Sequence, residues 1–355
     1  MLSELQCHGV RWLDEGTGLS RKGGAGPSDH KALTLGDHTA MVPMLNQASL
    51  DSPYSARPGA GGELALIYRE GRQVGQARIP GVPKFYARST ADGIPYWKIA
   101  TLHSRDVLAT TLLQHCIRLN DPATACQFCA IGQSLADGKT IARKRPAQLA
   151  EVAKAAVELD GVKHMVMTTG TPQTPDRGAA ILCESAAAVS AAVDLPIQAQ
   201  CEPPDDDAWF RRLADSGVVS LGMHLEAVTE AVRRRIMPGK AEVPLARYFE
   251  AFEAAVAVFG RGQVSTFILA GLGDSEEAIA ETSERLSAIG VYPFVVPFVP
   301  IDGTPLAGHP KPDNAFMQRL YPRIGASLRR HGLHSAKIDA GCAKCGACSA
   351  LKRHE

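Results

Sequence analysis

The chain has 355 residues, 45% of them hydrophobic, which suffices for one large α/β domain or two smaller ones with a sizeable core. Its 38 basic and 37 acidic residues give a formal net charge of +1, leaving neither a nucleic-acid footprint nor a membrane-surface bias. No apolar run reaches the ~20 residues that span a bilayer, and the N-terminus lacks a secretory signal pattern, so a cytoplasmic location is expected, with small-molecule partners rather than nucleic acid or membrane.

In chain order, residues 1–62 form an expected loop-rich N-terminal segment, in which GTGLSRKGGAGPSDH reads as a mobile loop. Residues 63–105 read as a small β module of two hairpins, ELALIYRE-GR-QVGQARI and KFYARST-ADG-IPYWKIATLH. From 106 to 310 six apolar strand-like runs follow: TTLLQHCI, HMVMTTG, PIQAQCE, VVSLGMHLE, VSTFILAG and YPFVVPFVP. Between them lie Ala-rich stretches with helical apolar spacing, several ending at glycine. Repeated βα units predict a parallel sheet, and six of them suit an open partial barrel rather than the closed eight-unit one. The fold class expected is therefore α/β: a partial (β/α)6 TIM-like barrel with a small N-terminal β-hairpin module and a C-terminal helix and cysteine-rich extension at 311–355.

Chemistry in such folds sits at the C-terminal ends of the strands. There the sequence places Cys116, Cys126 and Cys129, three of nine cysteines. In a reducing compartment close thiols read as metal or redox ligands rather than disulfides. Three thiolates can hold a [4Fe–4S] cluster by three corners and leave the fourth iron open. A structural zinc site wants a fourth ligand, for which His115 or Asp121 is available, and a zinc loop or plain buried thiols stays an alternative on the motif alone.

Cys-x2-Cys with Phe128 just before the last cysteine, ahead of a six-unit partial barrel, resembles the radical S-adenosylmethionine (SAM) superfamily, over roughly residues 106–310. The resemblance implies that Cys116, Cys126 and Cys129 hold the SAM-binding [4Fe–4S] cluster. It implies reductive cleavage of SAM to methionine and a 5′-deoxyadenosyl radical, with an electron donor such as flavodoxin or ferredoxin. The family spacing is Cys-x3-Cys-x2-Cys, whereas nine residues separate Cys116 from Cys126 here, an enlarged loop. Fragments at later strand ends match biotin-synthase-like members. Thr169 and Gly170 in TTGTP fall where backbone meets the SAM amino group. His224 and Glu226 in GMHLEAV fall on the cofactor, and Leu269 and Gly271 in FILAGLGDSEE near the adenine. FVVPFVPIDGTPL resembles the terminal strand. Each has a plainer reading: His224 as a core histidine, Glu226 as a helix N-terminal acid, GLGDSEE as a turn with Asp274 or Ser275 as N-cap.

Cys342, Cys345 and Cys348 in DAGCAKCGACSALKRHE form a second triplet with glycine-rich spacers, suited to an auxiliary [4Fe–4S] cluster or to zinc. Ser349 and Asp339 are possible fourth ligands. Cys201 is either a substrate-facing thiol or a small buried hydrophobe. Met165 and Met167 stand where biotin synthase would place another cysteine, which argues against biotin synthesis.

The whole chain resembles most closely the biotin-synthase-like subfamily encoded in nitrilase-containing bacterial gene clusters, linked to cyanide or nitrile assimilation. The function this implies is hydrogen abstraction from a small nitrogen-containing metabolite. One alternative is sulfur insertion from the C-terminal auxiliary cluster, as in the lipoyl and biotin synthases. Another is a non-enzymatic zinc-binding scaffold.

Overall fold

A computed structural model describes residues 1–14, 23, 27–59 and 63–355. Most of the loop expected at 16–30 lies outside them. The loop-rich reading of residues 1–62 is corrected by strands that form there. Helix α1 (Leu2–His8) precedes a six-stranded sheet made of β1 (Arg11–Trp12), β2 (His30–Leu35), β3 (His38–Pro43), β4 (Tyr54–Pro58), β5 (Leu64–Arg69) and β6 (Arg72–Arg78), in the order β1-β4-β5-β6-β2-β3. Glycine and aspartate suggest a loop by composition, but Gly36 and Asp37 are the two-residue turn between Leu35 and its partner His38. Glu70 and Gly71 do the same between β5 and β6, both with positive φ (49° and 83°), the conformation such a hairpin needs. Alternate residues Ala65 and Ile67 join Leu33, Val42 and Ala56 in a separate small core.

The second expected hairpin, 84–105, is absent. The amides of Lys84 and Phe85 instead donate to the Asp160 carboxylate (2.8 and 2.9 Å), starting a 3₁₀ turn at Lys84–Ala87. Pro95, which has no N–H to give a ladder, leaves only the isolated bridge Ser89↔Pro95 before α2 (Tyr96–Ile99). The remaining piece, β7 (Thr101–His103), joins the large sheet.

That sheet has seven strands in sequence order: β7, β8 (Val107–Thr111), β9 (His164–Thr168), β10 (Ile197–Gln200), β11 (Val218–Gly222), β12 (Val264–Ala270) and β13 (Val291–Pro297). The pairs from β8 to β13 are all parallel; β7 runs antiparallel on the edge. Short α3 (Gln133–Ala136) and then α4 (Pro146–Asp160) connect β8 to β9, followed by α5 (Ala179–Ala192) and α6 (Ala208–Asp215). After β11 come α7 (Glu230–Ile236), α8 (Pro238–Ala241) and α9 (Leu245–Phe259), and α10 (Glu276–Ile289) precedes β13. This is the expected six-unit partial barrel, its first strand starting three residues earlier than TTLLQHCI.

Strand alternation divides the side chains between two faces. Leu108, Met165, Met167, Ile197, Ala199 and Leu221 belong to the main core. In the other phase the Gln198 amide donates to Ser265 Oγ (3.1 Å) across the intervening strand, which marks a polar barrel interior.

After α11 (Asn314–Arg330) the chain returns beneath the sheet. Backbone N–H groups donate from Ala340 to Ser220 Oγ (3.3 Å), from Gly341 to His164 Nδ1 (3.1 Å) and from Cys342 to Gln198 Oε1 (3.2 Å). His164 opens β9, so this segment, with α12 (Cys342–Cys345), plugs the N-terminal mouth of the half-barrel. Only glycine fits at 341: φ is +103°, and a Cβ would lie 2.1 Å from Gln198 Cδ.

Candidate active site

At the opposite mouth, residues 117–125, the insertion between the first two cysteines, fold as consecutive turns. The N–H of Leu119 donates to Cys116 O (3.0 Å), and those of Thr124 and Ala125 donate to Asp121 O (3.0 and 2.8 Å). The Asp121 carboxylate accepts from Ala123 N–H (2.9 Å), so it shapes the loop rather than serving a metal. The turns bring the ends together: Cys116 and Cys126 both act on the Arg118 charge, and Cys116 acts on Cys129. Cys129 N–H donates to Cys126 O (3.0 Å), the tight turn of the Cys-x2-Cys step. Burial, with Glu226 next in weight, pushes the Cys126 thiol well above its ordinary range. Burial also pushes Cys129 up to about 11. Thiolates at this place therefore need a cation to form.

Four charged side chains surround these thiols. Arg118 forms an ion pair with Glu202, which also accepts from Thr171 Oγ1 (2.8 Å). Lys240 Nζ lies 2.9 Å from Glu226 Oε2, both largely buried. Burial opposes the Lys240 charge, but the Glu226 carboxylate outweighs it and raises its pKa. Glu226 has φ 64°, a left-handed conformation held by backbone bonds to Phe267 O and from Leu269 N–H (both 2.8 Å). Strain of this kind persists where surrounding structure enforces it. Buried oxygens at this mouth with no hydrogen-bond partner include Glu202 Oε2, Thr111 Oγ1 and the Tyr248 hydroxyl beside Lys240. Such orphans call for a polar ligand. Beside them, a cavity of about 340 Å³ is lined by Arg118, Thr124, Gln173, Arg177 and Glu242, among others.

The other sequence-predicted residues fall as follows. Cys126, Phe128 and Leu269 pack into one apolar cluster with Leu306, Met237 and Phe298. Gly170 is pressed against the cysteine loop: a Cβ would sit 1.9 Å from His115 O, and its N–H donates to Leu113 O (2.9 Å). Its close approach is thus to that loop, and Thr169 Oγ1 donates to Gly170 O (2.9 Å). Gly271 O pairs with His309 Nε2 (2.9 Å). His224 is half-buried and neutral. Its Nδ1 accepts from Phe267 N–H (3.2 Å), the rings meet edge-on at 4.7 Å, and burial lowers its pKa to about 3. Ser275 is the N-cap of α10, accepting from Ala278 N–H (3.1 Å), while the Asp274 carboxylate accepts from Val228 and Thr229 N–H (2.8 and 3.0 Å). Sequence reasoning missed Arg118, Lys240 and Glu202. Of these, only Arg118, two residues after Cys116, carries a positional signal.

The second triplet lies across the interior. Gln200 Nε2, at the end of β10, donates to Cys342 Sγ (3.3 Å) and to Gln198 Oε1 (2.8 Å). Each of the three cysteines keeps some open surface while Ala343, Ala347 and Ala350 around them are buried. Yet burial pushes the Cys342 thiol up to about 12 and raises Cys345 and Cys348 too. The three thiols are thus half-buried rather than sealed in the core. The small sheet covers them from outside: Met41 N–H (2.7 Å) and Gln6 Nε2 (2.9 Å) both donate to Ala347 O. The suggested fourth ligands are not free for the role. Ser349 Oγ donates to Val295 O (2.6 Å) and accepts from Leu351 N–H (3.1 Å), and Asp339 is exposed. Cys201 is buried in the main core among the helices, its thiol pushed up to about 12, which matches the buried hydrophobe and not a substrate-facing group.

Among the described residues no three His, Cys, Asp or Glu side chains converge as a ready-made metal site. At the first triplet the donor set nevertheless fits an iron–sulfur cluster: three soft thiols in mutual electrostatic range, beside an orphaned carboxylate oxygen suited to a charged organic ligand.

A half-barrel carries three thiols on the loop after its first parallel strand, and residues 122–286, a little under half of the chain, match the Radical SAM superfamily, which supports an enzyme acting on SAM through an iron–sulfur cluster. This sets aside the non-enzymatic scaffold. Particular relatives are similar over part of their length. Bacteriochlorophyllide c C-7(1)-hydroxylase of Chlorobaculum limnaeum is 32% identical over 213 residues, covering 55% of this chain and 53% of that protein. Lipoyl synthase of Marinobacter nauticus is 32% identical over 180 residues, 47% of each. The chain thus spans about half the length of these curated relatives. Among solved structures, a radical SAM methyltransferase from Sphaerobacter thermophilus aligns with 85% of this chain and 82% of its own, at TM-score 0.48 and 16% identity. Among the described residues no helix is long and apolar enough to cross a membrane.

Proposed function

We propose that this radical SAM enzyme inserts sulfur into a small molecule held in the half-barrel, with Cys116, Cys126 and Cys129 serving the SAM cluster and Cys342, Cys345 and Cys348 a second, sulfur-donating cluster. The observation that carries this is the bond from Gln200 Nε2 to Cys342 Sγ, which links that thiol to the polar side chains of the barrel interior. The similarity to a lipoyl synthase agrees with it. The first cluster, when bound, supplies the electron that cleaves SAM to the radical that takes a hydrogen atom.

The chain's own residues then bind, orient and exclude water. The unpaired oxygen of Glu202 and the Arg118 guanidinium suit the ammonium and carboxylate of the SAM amino-acid end. Phe128 and Leu269 supply an apolar wall, and Glu226, anchored by Lys240, an acceptor for ribose hydroxyls. His224, neutral with its proton on Nε2, offers a donor without adding charge. An electron donor such as flavodoxin or ferredoxin completes the system. The nitrile or cyanide setting implied by the subfamily resemblance has no observation of its own among the described residues, and the proposal does not rest on it.

The test is isotopic. Protein reconstituted anaerobically with sulfide enriched in a heavy sulfur isotope is given SAM, dithionite and a small-metabolite extract. The expected product gains sulfur carrying the label, with loss of iron from the protein. Turnover to a product without sulfur would reject the reading.

A further inference from the structure

The N-terminal mouth of the half-barrel carries a feature that neither triplet explains. The turn between β7 and β8 holds Ser104 in a left-handed conformation (φ 58°) although it is neither glycine nor asparagine, and Ser104 is buried. Such a conformation persists where neighbouring structure enforces it. The turn faces the second triplet. Ser104 lies beside Cys345 and favours its thiolate, and the residue before it, His103, places Nε2 3.7 Å from Cys348 Sγ. Cys348 in turn has Cys345 and Cys342 as its charged neighbours.

We propose that His103, through Nε2, is the fourth protein ligand of the metal centre held by Cys342, Cys345 and Cys348. The inference rests on the reading that this triplet holds a metal, and it supplies the donor that Ser349 and Asp339 do not. Imidazole is a neutral borderline ligand, so it completes the set without adding a fourth negative charge to a site where burial already disfavours thiolates. Strand pairing of His103 with Val107 fixes the backbone from which the ring projects, and the strained turn holds Ser104 against the neighbouring thiol. A nitrogen ligand is also more readily released than a thiolate, which suits a centre that must give up an atom.

The experiment uses the full chain with Cys116, Cys126 and Cys129 all changed to alanine, so that the second site is read alone. After anaerobic reconstitution, iron, sulfide and zinc are counted, and the reduced protein is examined by pulsed electron paramagnetic resonance for nitrogen coupling. About four irons per chain are expected, with a nitrogen coupling that disappears in His103→Ala and in His103→Cys, the latter keeping its iron. Should His103→Ala fail to fold, His103→Cys still gives the readout. Iron without nitrogen coupling, or a coupling that survives in His103→Cys, overturns His103 as the ligand and leaves the second cluster standing. Zinc without iron overturns the sulfur-donor reading; a nitrogen scatterer in zinc X-ray absorption that His103→Cys removes then upholds His103, and its absence overturns it. A chain that binds no metal at this site overturns both.

Discussion

The two cysteine triplets occupy opposite mouths of one half-barrel, and their surroundings differ in kind. Cys126 has Glu226, Lys240 and Glu202 as charged neighbours, and Arg118 lies within reach of Cys116 and Cys126. At the second triplet Cys342 and Cys348 have other cysteines in that role, Cys345 has Asp106 and Lys352, and the neutral donor Gln200 bonds to Cys342. A cradle of paired charges with an orphaned carboxylate oxygen is built for a zwitterionic organic ligand. Three half-buried thiols among buried alanines suit the inorganic centre proposed for them. On the proposed reading, identical ligand types serve different tasks because of what lies beside them.

The sharpest way to break this comparison is to remove thiols one at a time. Cys126→Ala or Cys129→Ala is expected to abolish 5′-deoxyadenosine formation from SAM and dithionite, whereas Cys345→Ala spares uncoupled cleavage and removes only the sulfur-containing product. Equal loss from both sites, read by chromatography of 5′-deoxyadenosine, would erase the distinction.

Next in size is the charged cradle itself. Lys240→Met leaves the Glu226 carboxylate without its buried partner and is expected to lower unfolding stability by about 3 kcal/mol. Lys240→Met with Glu226→Gln should recover much of that, as measured by urea unfolding; additive losses would show that the two do not act as a pair.

At the other mouth, Gly341→Ala forces a Cβ into Gln198 and a left-handed backbone onto alanine. The expected cost is on the order of 2 kcal/mol, with faster proteolysis near residue 341. Gln198→Ala in the same chain should relieve the collision but not the backbone strain, so partial rescue is the outcome that fits.

The smallest effect is in pH dependence. His164, beneath Gly341, has a pKa lowered by burial from 6.5 to about 4. The unfolded chain therefore binds the extra proton first, and stability is lost as pH falls from about 6.5 toward 4. Between pH 7 and pH 5 the loss is on the order of 1–2 kcal/mol. His164→Asn keeps an acceptor for the Gly341 N–H and does not titrate. Its unfolding free energy should fall less between pH 7 and pH 5, and an unchanged slope would remove His164 from the account.

Much of the fold is legible in the sequence because its signals are periodic. The six strands from β8 to β13 and the helices α4, α5, α6, α9 and α10 announce themselves by apolar spacing and glycine stops. The N-terminal sheet is hidden because its strands are short and its turns use the residues that also mark loops, as at Gly36–Asp37. The absent hairpin at 84–105 misleads because the Asp160 carboxylate, far away in sequence, captures the amides of Lys84 and Phe85. At the site, cysteine spacing is visible, while the partnership of Arg118 with Glu202 and of Lys240 with Glu226 is not: a lysine between Gly239 and Ala241 reads as a surface residue until the fold buries it.

The bond from Met41 N–H to Ala347 O makes the small sheet a wall over the second triplet. Its consequence is one of insulation. A redox protein approaching from that side meets backbone before it meets sulfur, and tunnelling falls steeply with each added layer. A centre held at Cys342–Cys348, as proposed, would on that side be separated from a reductant by the backbone of Met41 and Ala347.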